Sequence, residues 1–381
     1  VYTLVERGPD GDRFTPIGSI VGARPADSVP LVRALAARQT AVVTLTVTEA
    51  GYALGADGTP DLASPALPHD VRALTARERD AAHAPRTILG RLLSGLEARR
   101  RAGGGPIAIV PCDNFPRNGD VLAEALRHLS GEVSAGLREW TADNVRFVST
   151  SVDRITPRVD AALPQQVADA TGWDDAAPVA AEPFSDWTLS GDFPAGRPAW
   201  ESAGALFVDD IEPFEQRKLW LLNGAHTILA ALGRVHGHRT VAQAIADRDC
   251  RIAVDAWWAE ASRHLPPHAE AAGYAATLRE GFANPRIEHL VAQIATDGLS
   301  NLWLRIIPLA ERELAAGRTA DAAATAIAAW TASTLTCRED TVPGVAVIDR
   351  ARAAADPVGE LTHLALGTLA GDADFVDRVS R

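Results

Sequence analysis

The residues best suited to chemistry are Lys218, Asn223 and His226, in the run Lys-Leu-Trp-Leu-Leu-Asn-Gly-Ala-His. On an α-helical wheel, at about 100° per residue, they project at roughly 0°, 140° and 80°. They can share one broad face, with Asn223 and His226 neighbours at i,i+3. Leu219, Trp220, Leu221 and Leu222 surround Lys218 with apolar bulk. Such surroundings strip water from an ammonium, lower its pKa and let the amine act as a base near neutrality. An asparagine amide can donate to an oxygen that gains negative charge. An imidazole can orient or polarise the same oxygen. The same three residue types on an amphipathic helix also make an ordinary solvated face, and spacing alone does not choose between the two.

Further candidates sit where strands end. Asp113 and Asn114 follow the apolar run 107–110, and in open parallel sheets ligands bind beyond the carboxyl ends of strands. Both residue types also favour simple turns. Asp153 follows the β-prone run 145–149, either as a site residue or, the blander choice, as half of an Asp153–Arg154 pair that steadies a loop. Glu49 ends the run 41–48 ahead of Gly51, and either approaches a cofactor or caps a helix. No Gly-x-Gly-x-x-Gly fingerprint and no Gly-x-Ser-x-Gly elbow is present, and Gly103–Gly105 precede a strand and so read as a loop. His236 and His238 lie close together, but no third ligand stands at metal spacing. They read as loop residues, and no metal is expected.

The elements that must position these groups change character along the chain. Before about residue 205, β-rich runs (1–7, 41–48, 107–110, 145–149) alternate with helical periodicity (86–101, 121–138), the signature of an α/β domain. Gly8–Gly11 signals a turn, and Arg99–Arg101 reads as a solvated helix end. From Pro213 onward the pattern is almost wholly helical, and the Ala-rich stretch 315–330 is a helix by propensity. The expected domains are therefore 1–205, Rossmann-like, and 206–381, helical and carrying the substrate site.

Composition narrows the partners. The 381 residues carry a net charge of −12, with 47% hydrophobic and 23% charged residues. That balance speaks against a nucleic-acid or membrane-surface role and for a small-molecule substrate. Three scattered cysteines imply no disulfide framework. No apolar run reaches membrane length, so a cytoplasmic monomer or small homo-oligomer is expected.

Six segments in order, Thr44–Tyr52, Pro111–Gly119, Ser149–Pro157, Gly196–Glu201, Pro213–His226 and Phe282–Gly298, resemble the polyol-specific long-chain dehydrogenases, the family of mannitol 2-dehydrogenase and fructuronate reductase. The resemblance implies an NAD-dependent (or NADP-dependent) enzyme that moves hydride to or from C2 of a polyol or sugar acid without a metal. It implies Lys218 as general base, Asn223, His226 and Asn114 around the reacting oxygen, and Asp153 on the substrate. Glu49 and Asp113 would face the cofactor, and Gln293, Asn301 and Arg305 the substrate. Gln293 stands where mannitol dehydrogenases carry an Arg, and Asn301 where many relatives have a Lys. Both departures weaken the case for a uronate carboxylate, although Arg305 or Arg154 could supply the cation. Fructuronate reduction and a non-catalytic sugar-binding role are the alternatives. The family's Gly-x-Gly-x-Phe-x-Arg loop has no counterpart, the chain opens on Val1, and it holds no Met. These features predict a first strand–helix–strand unit upstream of Val1, and a Met missing between Ser151 and Val152.

Overall fold

The computed structural model describes residues 1–24, 28–55, 59–63, 65–76, 84–157, 159–337 and 345–380, with the side chains of Ser28, Glu49, Ala50 and Val345 excepted. Two compact units emerge: 18–153 with 185–212, and 1–17 with 154–184 and 213–381.

The first unit is built on a parallel sheet of β3 (Val42–Leu45), β4 (Ile107–Pro111) and β5 (Val145–Phe147), in that order. Val43 pairs with Ile109 and Ile107 with Val145. Every residue of β4 is buried, which explains its unbroken apolar run: a central parallel strand has no wet face. The chain then departs from one continuous strand over 145–149. It passes Val148 and enters β6 (Ser149–Asp153), antiparallel to β8 (Asp186–Ser190), which runs parallel to β9 (Leu206–Phe207).

The helix Ile88–Arg101 packs its leucines into this unit's core. Its first turn is capped by Thr87, whose hydroxyl accepts from Gly90 N at 3.0 Å. Its last turn corrects the reading of 99–101 as solvated. Arg99 is fully buried, and its guanidinium donates to the carbonyls of Leu35, Ala37, Gly105 and Pro106. Those carbonyls end a neighbouring helix and the glycine loop, so one cation satisfies several orphan acceptors at once. Only Arg100 and Arg101 are surface cations, both paired with Glu97.

The second unit opens on the hairpin β1 (Tyr2–Gly8) and β2 (Gly11–Ile17), turned at the signal Gly8–Gly11, with β7 (Val179–Ala181) parallel to β1. From Glu212 onward the described residues form helices and no further strand. The Ala-rich helix runs over Asp321–Thr336 rather than 315–330, because Gly317 and Ala320 adopt positive φ and break the backbone between it and the helix Ile307–Ala315. Compact units and chain order divide the molecule differently. The hairpin groups with the helices because Asn284 donates to Arg7 O at 2.9 Å and Arg286 pairs with Asp12. Among the described residues no helix is long and apolar enough to cross a membrane.

Candidate active site

Lys218–Gly224 is not an α-helix. It is a π-helical turn set between the helices Glu212–Arg217 and Ala225–Val235. A π-turn closes its hydrogen bonds between residues five apart. Lys218 and Asn223 therefore stand a little over one turn apart, offset by roughly 50° rather than the 140° of an α-helical wheel. The widened turn leaves carbonyls exposed, and tryptophans of the helix Arg248–Ser262 satisfy them. Trp257 Nε1 donates to Trp220 O at 2.7 Å, and Trp258 Nε1 to Leu221 O at 2.8 Å. Gly224 is required here, because a Cβ would stand 2.5 Å from Trp257 Nε1. Beside the turn, Arg217 is buried, stacks over Tyr274 at 4.3 Å and donates to Ala269 O. Lys218 itself is half-buried.

A second π-turn, Leu302–Ile306, faces the first within the same unit. Pro308, which has no N–H to give, follows it. Between them lies a cavity of ≈ 290 Å³ lined by Asn223, His226, His289, Gln293, Ile294, Asp297, Asn301 and Arg305. Arg305 Nη1 donates to Asn223 O at 3.3 Å and Thr227 Oγ1 at 3.2 Å. Burial pulls its pKa down to about 10, with Asp297 opposing. His226 is buried against His289 (ring centroids 4.8 Å) and Phe282 (4.7 Å). Its pKa lies well below 6.5, chiefly through burial and then through His289 and Arg305. Burial lowers His289 as well. Both imidazoles are thus neutral at pH 7, and His226 Nε2 and His289 Nδ1 have no partner among the described residues. Buried polar atoms without partners are uncommon and point to a ligand or water.

The cavity gathers Asn223, His226, Gln293, Asn301 and Arg305 of the residues singled out from the sequence, and Lys218 is not among its lining residues. Asn301 is partly committed, its amide donating to Ile294 O at 3.3 Å. Sequence reasoning missed His289 and Asp297. Both stand in the segment Phe282–Gly298, but no periodicity marks them because the chain there turns from loop to short helix. His289 and Gln293 also border a larger cavity of ≈ 670 Å³ with Arg7, Thr156 and Arg286. A crevice of ≈ 50 Å³ near Trp330 is too small for a sugar.

In the sheet unit, Asp113 and Asn114 follow β4 directly. Asp113 Oδ1 accepts from Phe115 N at 3.0 Å and its Oδ2 from the Tyr52 hydroxyl, while Asn114 is exposed. Asp113 is therefore held in a turn as well as standing at a strand end. Burial and the Asp113 carboxylate push the Tyr52 phenol far above its ordinary range, so it remains a donor. The missed residue is Asn118. It is buried, its Nδ2 hydrogens are shared among Pro111 O, Asp113 O and Thr150 O, all within 3.3 Å, and its Oδ1 accepts from Thr150 N at 2.8 Å. It ties the turn after β4 to β6. Gly119 lets the helix approach, since a Cβ there would stand 2.6 Å from Ser149 N. Asp153 ends β6, opposite Asp186. Arg154 pairs with Glu6 at 2.9 Å and donates to Glu182 O, so its guanidinium is engaged within its own unit. The backbone of Glu49 opens the turn Glu49–Tyr52, and its side chain lies outside the described residues.

Two family models match the chain in order: the mannitol dehydrogenase Rossmann domain over residues 1–202 and the mannitol dehydrogenase C-terminal domain over 210–350. D-mannonate oxidoreductase of Escherichia coli is 34% identical over 337 residues, 87% of this chain and 68% of that protein. Mannitol 2-dehydrogenase of Cereibacter sphaeroides is 33% identical over 83% of this chain and 65% of that protein. The chain thus spans about two thirds of the length of these relatives. Among solved structures, the Pseudomonas fluorescens mannitol 2-dehydrogenase ternary complex with NAD and D-mannitol is similar with a TM-score of 0.79 and 30% identity, over 100% of this chain and 79% of that one. A substrate-free D-sorbitol dehydrogenase is similar at 0.84 and 25%, over 99% and 83%.

Proposed function

The chain belongs to the mannitol dehydrogenase family, and from that premise we propose that it is an NAD-dependent dehydrogenase which oxidises a secondary alcohol of a polyol of the mannitol type, with Lys218 as general base. The observation that carries this reading is the π-turn, which sets Lys218 a little over one turn from Asn223 and puts Asn223 and neutral His226 on the wall of a polar cavity of ≈ 290 Å³.

The parallel strands β3, β4 and β5 form the arrangement at whose carboxyl ends dinucleotides bind. The polar turn of Asp113 and exposed Asn114 at the end of β4 suits the nicotinamide half of NAD, with no side-chain geometry for Glu49 to add. Bound NAD supplies the hydride acceptor. Lys218, as the free amine, takes the hydroxyl proton. Asn223 donates to the oxygen as its charge develops. His226, neutral, orients that oxygen without adding a competing cation. Gln293, Asn301 and Arg305 hold the remaining hydroxyls. Asn114 and Asp153 keep the roles that the resemblance gives them, as oxygen donor and substrate ligand. In this chemistry a base and oxyanion donors stand where other dehydrogenases use a metal, so chelation leaves turnover unchanged.

Arg305 favours a second substrate. It is a half-buried cation on the cavity wall, and a relative 34% identical is a D-mannonate oxidoreductase. Asp297 on the same wall offsets part of its charge, and for that reason the polyol reading stands first. Parallel assays of mannitol and mannonate oxidation separate the two. For the mechanism, Lys218→Ala should lower kcat by about 10²–10⁴-fold with little change in NAD affinity. Added small primary amines should restore part of the rate. A variant that keeps its rate and its pH profile would reduce Lys218 to a helix-surface lysine.

A further inference from the structure

His236, His238, Asp247 and Cys250 converge in the helical unit, and none of them lines the cavity at His226. In sequence the two histidines stand alone. In the fold, the helix Ala225–Val235 ends at His236, and Gly237 at φ +80° reverses the chain. Asp247 then caps the helix Arg248–Ser262, and Cys250 sits in that helix's first turn. The ligating atoms of all four lie within 4.8 Å of one another. His236 Nδ1 is 3.2 Å and His238 Nε2 3.1 Å from the same oxygen, Asp247 Oδ2.

From this geometry we propose that His236, His238, Asp247 and Cys250 form a structural zinc site. In a tetrahedral zinc site, with bonds of about 2.0–2.1 Å to nitrogen and oxygen, those ligand atoms stand about 3.3–3.4 Å apart, and about 3.5–3.6 Å from the sulfur. The two nitrogen–oxygen separations already stand within about 0.3 Å of the first of these values. The donor set of two imidazoles, one thiol and one carboxylate suits zinc over calcium or magnesium, which take oxygen ligands. Asp247 is preset for single-oxygen ligation: its Oδ1 accepts from Asp249 N at 2.8 Å and Cys250 N at 3.2 Å, which leaves Oδ2 for the ion. An entry route exists, because His236 is exposed, His238 and Asp247 are half-buried and Cys250 forms the floor. Four protein ligands close the coordination sphere, the pattern of a structural rather than a catalytic site. The ion would pin the end of the helix that carries His226 to the start of the helix that carries Trp257 and Trp258. It would stiffen the frame of the π-turn and take no part in hydride transfer.

The test uses the whole chain, stripped with chelator, loaded with Zn²⁺ or Co²⁺ and desalted. Elemental analysis should return about one zinc per chain, as a closed four-ligand site holds a single ion. The cobalt form should show a thiolate-to-metal charge-transfer band, and zinc should raise Tm. His236→Ala with His238→Ala should abolish all three while turnover stays at the wild-type level, since neither residue touches the reacting groups. Cys250→Ser should lose the band. If that variant fails to fold, the band in the wild type against the double histidine variant decides. Failure of the stripped wild type to retain zinc, equal zinc in the double variant, or cobalt bound without a thiolate band would each overturn the site.

Discussion

Two buried polar clusters of the helical unit differ in how completely their atoms are satisfied. Glu313 is fully buried, yet Arg318 reaches it at 2.8 Å, His264 at 2.5 Å, and Arg263 pairs with its other oxygen. Burial alone would raise its pKa, but Arg318, Arg263 and His264 outweigh that and hold it at about 2. At the cavity, His226 is also buried but leaves Nε2 unpaired, and Arg305 is held by a carbonyl and a hydroxyl. The first cluster is complete without anything else. The second carries a desolvation cost that a ligand's hydroxyls would relieve. A buried polar group marks a candidate site when its partners are missing, not merely when it is buried.

The sharpest way to break this contrast is to remove Glu313. Glu313→Ala removes the buried acceptor shared by Arg263, Arg318 and His264 and should cost about 2–3 kcal/mol, read by denaturant unfolding, with kcat of the folded enzyme unchanged. A loss of activity without a loss of stability would reverse the assignment of that cluster to structure. Trp257→Phe comes next. It deletes the donor to Trp220 O, should cost about 1–3 kcal/mol, and should also lower kcat, because the π-turn that aligns Lys218 with Asn223 loses its support. Asn118→Ala should cost a similar amount, chiefly through the stranded N–H of Thr150, and hydrogen exchange should show the turn 112–117 loosened.

The smallest stability effect belongs to the cavity itself. His226→Phe removes an unpaired buried nitrogen next to Phe282, so Tm should hold or rise while kcat/KM falls by about 10²-fold. The pH dependence follows the same logic. His226 is depressed in the folded state from an ordinary value of 6.5, so below that pH the unfolded chain binds the proton first. Wild-type stability is therefore full above pH 6.5 and is lost as pH falls toward the folded value, and the Phe variant should show a shallower loss. Equal slopes in the two proteins would mean that His226 is not the neutral, desolvated group described above.

Much of this was legible beforehand for a local reason. The buried run of β4, the switch to helix after Phe207 and the polar turn at 113–114 each depend on neighbours in sequence. What escaped depended on partners far along the chain. Arg99 reads as one of three surface arginines until the carbonyls of Leu35 and Pro106 are placed around it. The π-turn has no marker in 218–224, because the donors that stabilise it belong to residues 257 and 258. His289 and Asp297 become wall residues only once the second π-turn faces the first.

The sequence by itself determined that a lysine, an asparagine and a histidine would travel together in an apolar helical segment after an α/β region, since type and spacing are local properties of the chain. The tertiary structure alone decided that this segment is a π-turn and that Arg154 serves Glu6. It also decided that His226 is left unpaired and that His236 and His238 meet Asp247 and Cys250. Each of those outcomes is set by the three-dimensional supply of hydrogen-bond partners, and no window of sequence contains it.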